Sequence, residues 1–405
     1  MGNKRVVVVG RNYCNILTMV RALGEAGHSV DVLRLFKKKP RKLNLLGNMK
    51  PEAHSKYVRS FNVCVVNGEI EKAVEAMLRL VSDEKIVLIP VDDYSAYIVD
   101  DYLESLEPKY ILPNINCSQG KINGLMNKHM QKKLAKEFGL PVLNSSLLET
   151  KDDKFDIPEE IEYPCFVKPN VSMNSTKNMM MKCDNKEELH NFLEKYEHIE
   201  KCQMLVEKFV HIKNEYSILG CSFGDRSISP CIFKVLKAGH KERKGVTLLG
   251  EIIDGSKFES IVKKCNDFVV SLRYTGLFDI DLIETENGEM FFIELNFRAG
   301  ASTYAFNQVG VNLAKIYIDG LNKIDLENIS VNKYGKYFLS EKILLEEFAR
   351  SDISYKNARK MLKNADLYLM KSEEDFKPYG YFKKYYLIAF FMKIPYKIRD
   401  FIRKL

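Results

Sequence analysis

The chain has 405 residues, 46% of them hydrophobic and 29% charged, and a formal net charge of +8. This composition is that of a globular protein, and the length exceeds what one hydrophobic core usually organises, so we expect about two or three domains. The longest apolar run near the C-terminus, residues 385–392, is far shorter than the about 20 residues that a membrane-spanning helix needs.

The positive charge lies mostly at the C-terminal end. Residues 377–405 contain eight Lys or Arg residues against Asp400, a net of +7, which leaves about +1 of the total for the rest of the chain. This distribution does not predict a nucleic-acid partner. The nine cysteines include no C-x-x-C pair, and a valine-rich strand begins within the first ten residues without a secretory signal. We therefore expect a cytoplasmic protein with reduced thiols.

The first hundred residues alternate strand and helix patterns, which predicts a parallel sheet flanked by helices. The segment that follows the first strand, Gly10 to Asn12, lacks the G-x-G-x-x-G spacing of a dinucleotide site, so we do not expect a nicotinamide or flavin cofactor. The predicted elements are strands at residues 5–9, 30–35 and 86–90 and helices at residues 15–26 and 70–81.

An α+β region is predicted after a helix at residues 127–138, which Gly139 and Pro141 terminate. Beyond residue 330 the patterns indicate helices and then the basic, aromatic tail. The predicted elements between these points are strands at residues 165–168, 179–182, 204–209 and 216–222, a helix at residues 256–272 and a hairpin at residues 277–296.

The hairpin carries the clearest chemical pattern in the sequence. Asn287 and Gly288 predict a two-residue turn, so that Glu286 faces Glu289. In that register Asp281 faces Glu294 and Asp279 faces Asn296. Side chains alternate along strands, so all of these side chains share one face. Opposed carboxylates repel one another unless a cation lies between them or one is protonated, and oxygen ligands of this kind suit Mg²⁺. The alternative is a charged strand surface that points into water.

The motif E-L-N-F-R at residues 294–298, after acidic residues on the facing strand, resembles the magnesium-binding end of the ATP-grasp enzymes, such as D-alanine:D-alanine ligase, biotin carboxylase and the carbamoyl-phosphate synthases. The resemblance covers roughly residues 1–320. It implies an N-terminal parallel α/β domain followed by an ATP-grasp fold and a helical C-terminal extension. The expected divisions are a Rossmann-like domain at 1–118, an ATP-grasp domain at 119–325 with a central lid subdomain at about 165–210, a helical extension at 326–376 and an amphipathic tail at 377–405.

The resemblance also implies the metal ligands. Asp281 and Glu294 would bind one or two Mg²⁺ ions, or Mn²⁺ in their place, between the ATP phosphates, with Asn296 as a further ligand. Arg298 would hold the carboxylate or the phosphorylated intermediate. Asp279 is an additional acid on the same face, so which carboxylates bind the metal stays open.

Two lysines correspond to the phosphate contacts of the family. Lys168, at the end of an apolar strand, resembles the lysine that reaches the α- and β-phosphates, and Lys128 resembles the first lysine that contacts ATP. Each lysine also has an ordinary interpretation as a solvated side chain. Residues 170–178, where the family has a glycine-rich lid, contain no glycine, which is the clearest departure from the pattern.

The segment L-V-E-K-F-V resembles the adenine hinge of the family. The resemblance implies that Glu207 and the backbone of Lys208 and Val210 meet the adenine edge, and that Glu215 accepts the ribose hydroxyls. An edge strand with a charged face is the structural alternative. Two further segments stay open: the basic loop at residues 237–245 either closes over phosphate or is solvated, and residues 92–94 either face the carboxylate substrate or cap a helix.

The implied reaction joins a small-molecule carboxylate to an amine. ATP converts the carboxylate into its acyl phosphate, which the amine attacks to give an amide, and Lys168 and Arg298 serve the phosphoryl transfer electrostatically. The rival interpretations are a biotin-dependent type of carboxylase and a non-catalytic ATP-binding regulator. A homodimer is common in the family.

The tail mixes nine Tyr or Phe residues with its basic residues. Such a segment either lies in the headgroup region of an anionic membrane or packs on the protein as a helix broken at Pro395. Peripheral membrane contact would suit a ligase that acts on a cell-envelope precursor.

Overall fold

The computed structural model describes residues 4–39, 48–80, 82–171, 179–239, 246–324, 333–350 and 352–388, together with residues 326, 329 and 331. Within these residues the strands form three sheets. No described helix combines the length and the apolar character needed to cross a membrane.

The first sheet is parallel, as the sequence predicts, and its strand order is β3-β2-β1-β4-β5. The strand β1 is a run of valines buried on both faces, which is typical of a parallel sheet covered by helices. Asn12 begins the first helix by accepting a hydrogen bond from the Cys14 N–H. The elements are β1 (Arg5–Gly10), α1 (Tyr13–Glu25), β2 (Ser29–Phe36), β3 (Val58–Val65), α2 (Glu71–Leu78), β4 (Ile86–Pro90), α3 (Asp93–Asp101), α4 (Leu103–Leu106) and β5 (Tyr110–Ile111).

All five elements predicted for this region are present, with ends shifted by up to three residues. Sequence analysis missed β3, which lies at the edge of the sheet and has mostly half-buried side chains. An edge strand of this kind shows neither the continuous apolar run of a central strand nor a clean alternation.

The second sheet is antiparallel, with the order β10-β9-β11-β7-β8. Its apolar side packs on the helix α7 around the buried side chains of Leu148, Val167 and Phe192. The elements from the first sheet to its end are β6 (Asn114–Ile115), α5 (Lys121–Leu125), α6 (Lys128–Glu137), β7 (Ser145–Lys151), β8 (Lys154–Phe155), β9 (Cys165–Pro169), β10 (Met181–Cys183), α7 (Lys186–Leu193) and β11 (Gln203–Lys208).

The third sheet has eight strands, in the order β16-β15-β12-β13-β14-β17-β18, with β6 paired to β15. Two of its strands, β17 and β18, come from the region beyond residue 330, where the sequence predicted helices alone. The elements are β12 (Ile212–Phe223), β13 (Ser227–Ala238), β14 (Thr247–Ile252), α8 (Glu259–Ser271), β15 (Tyr274–Thr285), β16 (Met290–Asn296), α9 (Thr303–Asn307), α10 (Leu313–Leu321), β17 (Lys336–Leu339), α11 (Glu341–Arg350), α12 (Tyr355–Asn364) and β18 (Leu367–Tyr368). Short 3₁₀ helices lie at Pro51–His54, Glu194–Tyr196 and Gly255–Phe258.

The hairpin of β15 and β16 has the predicted facing pairs but not the predicted turn. The Thr285 N–H donates to the Glu289 carbonyl, so the loop has three residues and only Gly288 takes a positive φ, of 81°. This loop shifts the register by one residue, and an extra residue in β16, Ile293, shifts it back. The pairs Asp281 with Glu294 and Asp279 with Asn296 are therefore confirmed, whereas the facing pair Glu286 with Glu289 is wrong.

The C-terminal region is fixed to the first sheet through a buried arginine in α1. The guanidinium of Arg21, fully buried, lies 3.1 Å from the Asp375 carboxylate and donates to the carbonyls of Leu369, Met370 and Asp375. Beside it the buried Glu341 carboxylate accepts three backbone N–H groups, from residues 369 to 371. One hydrophobic core then runs from Val6 to Phe382. The C-terminal region therefore contributes side chains to this hydrophobic core.

We predict that Arg21→Ala destabilises the chain by about 3–5 kcal/mol, because it leaves the Asp375 carboxylate buried without its counter-charge. The measurement is the midpoint of thermal unfolding. Arg79→Ala is the matched control, since Arg79 is highly exposed and lies 3.6 Å from the exposed Glu75, and surface ion pairs contribute little. Equal unfolding midpoints for the two variants would contradict a stabilising role of the buried Arg21–Asp375 ion pair.

Candidate active site

Four polar side chains line one face of the β15–β16 hairpin, and we call this set the acidic face: Asp279, Asp281, Glu294 and Asn296. On the neighbouring strand β12, the Ser217 hydroxyl donates to an Asp281 oxygen at 3.0 Å. The Asn296 amide donates to the other oxygen of Asp281 at 3.3 Å. Strand pairing thus brings three carboxyl groups and an amide to one place, as the facing pairs in the sequence predict.

The electrostatics of this face are those of crowded like charges. Burial, together with the neighbouring Asp279 and Glu294 carboxylates, raises the pKa of Asp281 well above its usual range. Burial and the Glu294 charge likewise raise the pKa of Asp279, against the opposing effect of Arg298. Burial also acts to raise the pKa of Glu294, but the positive charges of Lys128, Lys168 and Arg298 together outweigh it and lower that pKa. The face therefore holds more negative charge than its own cations balance.

A divalent cation fits this set of ligands. The Oδ1 atom of Asp279 is buried and has no hydrogen-bond partner among the described residues, and unpaired buried carboxylate oxygens are costly without a cation. Carboxylate and amide oxygens are what Mg²⁺ prefers. Within the described ranges, no three His, Cys, Asp or Glu side chains are placed to enclose a metal ion by themselves. Mg²⁺ commonly takes only one or two carboxylates and completes its shell with water and phosphate oxygens.

Lysines from two other elements border the acidic face. The Lys128 ammonium, at the start of α6, lies 2.5 Å from a Glu294 oxygen. The Lys168 ammonium, in β9, lies 2.8 Å from Glu207, whose other oxygen lies 2.5 Å from the Lys132 ammonium. The ends of all three lysines are almost fully buried, and the Lys132 contact is a close ion pair without hydrogen-bond geometry.

Lys132 is a residue that the sequence interpretation missed. It lies four positions after Lys128 in α6, so both lysines lie on the same side of the helix. That spacing was the available signal. Lys168 and Lys132 lower the pKa of Glu207 against the effect of burial, which keeps this buried carboxylate charged.

Asn170 positions these lysines relative to one another. Its backbone carbonyl accepts the Lys128 N–H at 3.0 Å, and its side-chain oxygen accepts the His129 N–H at 2.9 Å. Since Asn170 directly follows β9, the start of α6 is tied to the strand that carries Lys168. The amide of the same side chain donates to Gln203 at 2.9 Å, and Asn170 is fully buried.

Arg298 connects the acidic face to the first sheet. Its Nε donates to Asp93 at 3.0 Å, its Nη2 donates to Asn296 at 3.1 Å, and its Nη1 lies 3.6 Å from Asp279. The neighbouring Gly300 is required here, because a Cβ at that position would lie 2.3 Å from an Asp279 oxygen.

The two aspartates after β4 have different roles in the structure. Asp92 caps α3 by accepting the Ser95 N–H at 3.0 Å, and it also accepts the backbone N–H groups of Arg11 and Asn12. Asp93 instead reaches Arg298. Asp92 therefore caps the helix, whereas Asp93 contacts the site, so each of the two alternatives holds for one of these aspartates.

The predicted hinge lies at the end of β11. Glu207 does not point freely toward a ligand, because Lys132 and Lys168 hold its carboxylate. The Lys208 side chain pairs with Glu162 at 2.7 Å and its N–H donates to the Asn144 carbonyl, whereas Val210 is partly exposed just beyond the strand. Glu215 lies in β12 two positions before Ser217, and thus on the strand face that meets Asp281.

Two predicted segments fall largely outside the description. Residues 172–178 of the glycine-free lid and residues 240–245 of the basic loop lie outside the described residues. The described residues of the basic loop, 237–239, lie at the end of β13, which ends at Ala238.

Comparison with known proteins finds a family model and curated relatives that resemble this chain. Residues 127–326 match the family model for the ATP-binding domain of the carbamoyl-phosphate synthase L chain. D-Aspartate ligase of Enterococcus faecium (strain Aus0004) is 25% identical over 350 residues, which cover 77% of this chain and 80% of the relative.

Solved structures share the fold at low sequence identity. An L-amino acid ligase from Bacillus licheniformis has a TM-score of 0.58 at 15% identity and covers 79% of this chain and 74% of its own. The biotin carboxylase domain of the Hydrogenobacter thermophilus 2-oxoglutarate carboxylase, solved with MgADP, ADP and bicarbonate, has a TM-score of 0.62 at 17% identity, covering 82% and 73%. These likenesses show a common architecture.

We predict that Asp281→Asn removes the stabilisation that ADP with Mn²⁺ gives to the chain, because it removes one of the opposed carboxylates. A ligand that binds only the folded state raises the unfolding midpoint in proportion to ln(1 + [L]/Kd). Thermal unfolding with and without ADP and Mn²⁺ measures this. Glu286→Gln, exposed in the turn of the same hairpin, is the control and retains the shift. An equal shift for Asp281→Asn would exclude that carboxylate as a metal ligand.

Proposed function

We propose that the chain is an ATP-grasp enzyme, an ATP- and Mg²⁺-dependent carboxylate–amine ligase, and that its chemistry takes place over the acidic face. The observation that carries this proposal is the convergence of three carboxyl groups with the buried ammonium of Lys128 and the guanidinium of Arg298. In this proposal Asp281, Glu294 and Asn296 hold Mg²⁺, which would offset the negative charge of the ATP phosphates.

The buried lysines would bind the phosphates. In the structure the Lys128 ammonium is paired with Glu294 and the Lys168 ammonium is paired with Glu207. Each ammonium has three donors and carries a compact charge, so it can contact a phosphate oxygen while its carboxylate partner turns to a metal ion or a neighbouring lysine. Glu207 keeps the second partner Lys132 in that event.

The nucleotide would extend from these lysines toward the end of β11. We assign the adenine edge to Glu207 and to the backbone of Lys208 and Val210, and the ribose hydroxyls to Glu215. The Glu207 carboxylate is already paired with Lys132 and Lys168, so in this assignment Glu207 serves the adenine edge by holding these lysines in place. Val210 is partly exposed just beyond β11.

Arg298 would hold the reacting carboxylate. Its guanidinium has a planar fork that matches a carboxylate or a phosphoryl group, and Asp93, Asn296 and Asp279 fix its orientation. A carboxylate oxygen then attacks the γ-phosphorus of ATP, and the bond to the bridging oxygen breaks with release of ADP. The amine attacks the acyl carbon, the carbon–oxygen bond breaks with release of phosphate, and one proton of the amine passes to solvent.

The chain should release phosphate from ATP only when its acid and amine are present. We predict that Glu294→Gln lowers this acceptor-dependent release about 100-fold or more, a loss typical of removing one group that stabilises transition-state charge. The assay combines purified protein, ATP and Mg²⁺ with pooled amino acids and small carboxylic acids. Amino acids are the first acids to test, since D-aspartate ligase is a relative.

The control for this experiment is Glu286→Gln, a change of the same chemistry at an exposed position of the same hairpin. Wild-type activity in Glu294→Gln would remove Glu294 from the mechanism. ATP binding by the wild type without release of phosphate, across all acids and amines, would favour the non-catalytic regulator. Release that requires bicarbonate and biotin would favour the carboxylase.

We make a separate proposal for the C-terminal tail, namely that residues 389–405 contact an anionic membrane. Residues 377–388 are helical, and Phe382 and Tyr386 pack into the core, so this part of the tail is docked on the protein. Leu387 and Ile388 are 55% and 40% exposed at the end of the described helix. The following residues 389–405 carry five basic residues and lie outside the described part of the chain.

We predict that the full chain floats with vesicles of phosphatidylglycerol but not of phosphatidylcholine, and that removal of residues 389–405 abolishes flotation. Each cation near an anionic surface contributes about 1 kcal/mol, so added salt should release the protein. The truncation ends after residue 388 because Phe382 and Tyr386 belong to the core. Equal flotation of both proteins would assign this segment no membrane role.

A further inference from the structure

The carboxyl ends of β1 and β4 form a crevice that the reaction described above does not use. The strand β1 lies between β2 and β4, and the chain leaves these two ends in different directions, through α1 to β2 and through α3 toward β5. Such a point in a parallel sheet opens a crevice at the carboxyl ends of the strands, where ligands usually bind. Arg11, Asp93 and Tyr94 lie in the segments that border it.

Two cations meet at one aromatic ring in this crevice. The Cζ atom of Arg11 lies 4.9 Å from the centroid of the Tyr94 ring, and the Nζ atom of Lys37 lies 5.0 Å from the same centroid. We call Arg11 and Lys37 the basic pair. They come from different strands, since Arg11 follows β1 and Lys37 follows β2, so the parallel sheet itself brings them together.

The basic pair has no counter-charge within the described part of the chain. The Asp92 carboxylate, which borders the crevice, accepts the N–H groups of Arg11, Asn12 and Ser95. Burial and then the neighbouring charge of Arg11 lower the pKa of Lys37. Two cations that lie over one ring repel each other, which favours an anion between them.

The crevice adjoins the reacting centre. Tyr94 directly follows Asp93, and Asp93 holds the Nε of Arg298 at 3.0 Å. Neighbouring Cα atoms are about 3.8 Å apart, so the ring below the basic pair lies one residue from the partner of Arg298. The basic pair and Arg298 therefore border the same end of α3, where one small molecule would contact both.

We propose that Arg11 and Lys37 bind a second anionic group of the acid that is activated, so that the substrate is a diacid such as a dicarboxylic amino acid. This inference rests on the proposed function, since it takes Arg298 as the anchor of the reacting carboxylate. The planar guanidinium of Arg11 gives a carboxylate two donors in one plane, and Lys37 adds a point charge.

The structural alternative is that the basic pair only packs on an aromatic ring. The chain supplies a matched control for that contact. The Cζ atom of Arg226 lies 5.0 Å from the Phe223 ring centroid, and the Nζ atom of Lys371 lies 5.1 Å from that of Tyr368. Both cations are exposed side chains outside the crevice, so the double variant Arg226→Gln with Lys371→Gln removes equivalent stacking without touching the proposed site.

The test compares diacids with monoacids of similar shape. The phosphate-release assay is run with L- and D-aspartate and succinate against L- and D-alanine and propionate, in the wild type, in Arg11→Gln with Lys37→Gln, and in the control double variant. We expect the ratio of kcat/KM for diacids to that for monoacids to fall about 10- to 100-fold in the Arg11 and Lys37 variant, mainly through KM, as for hydrogen bonds to charged groups. The control double variant keeps the wild-type ratio.

The outcomes separate this inference from the proposed function. A wild type that releases phosphate but prefers monoacids, or a ratio that the Arg11 and Lys37 variant leaves unchanged, overturns the diacid inference and leaves the ligase standing. If no acid supports phosphate release, the proposed function is in question, and the basic pair is tested by titration calorimetry of aspartate and succinate into protein with MgADP. Binding that only the Arg11 and Lys37 variant loses supports the inference, and absent or equal binding overturns it.

Discussion

The opposed carboxylates of β15 and β16 are the constraint on which the rest of the site depends. Three carboxyl groups in one partly buried place cannot all be ionised without cations nearby. The chain supplies those cations from elsewhere, Lys128 from the start of α6 and Arg298 from the loop after β16. Close packing around this charge cluster explains why position 300 must be a glycine. The hairpin therefore acts as the centre to which the other elements are oriented.

The pairing of Lys168 with Glu207 solves a second electrostatic problem. A lysine meant for phosphate must stay charged in a buried place before the nucleotide arrives, and burial alone would favour its neutral form. Glu207 supplies a counter-charge that Lys132 also contacts, and the two lysines lower the pKa of Glu207 against the effect of burial, so this carboxylate stays charged. Exchange of this carboxylate for phosphate replaces one ion pair by another and avoids a bare buried charge.

The sequence predicted two facing pairs of the hairpin but not the turn that joins its strands. The pairs at Asp281 and Asp279 hold because an unpredicted three-residue loop and an unpredicted bulge at Ile293 cancel one another. Pattern and turn propensity describe local structure, and they cannot fix contacts between distant segments. The link from Lys132 to Glu207 and the reach of Asp93 to Arg298 both join distant parts of the chain, so they became visible only in the fold.

The same long-range contacts determine how the first sheet can serve the reaction. Asp93 fixes the start of α3 to Arg298, and Asp92 fixes the segment after β1 to the segment after β4. Arg21 and Glu341 then hold the C-terminal region against α1 from the other side. A crevice whose borders are tied in this way changes shape little, so the groups that line it can be placed before a ligand arrives. In the proposed reaction, substrate selection by Arg11 and Lys37 and phosphoryl transfer at the acidic face would share one connection, the ion pair of Asp93 with Arg298.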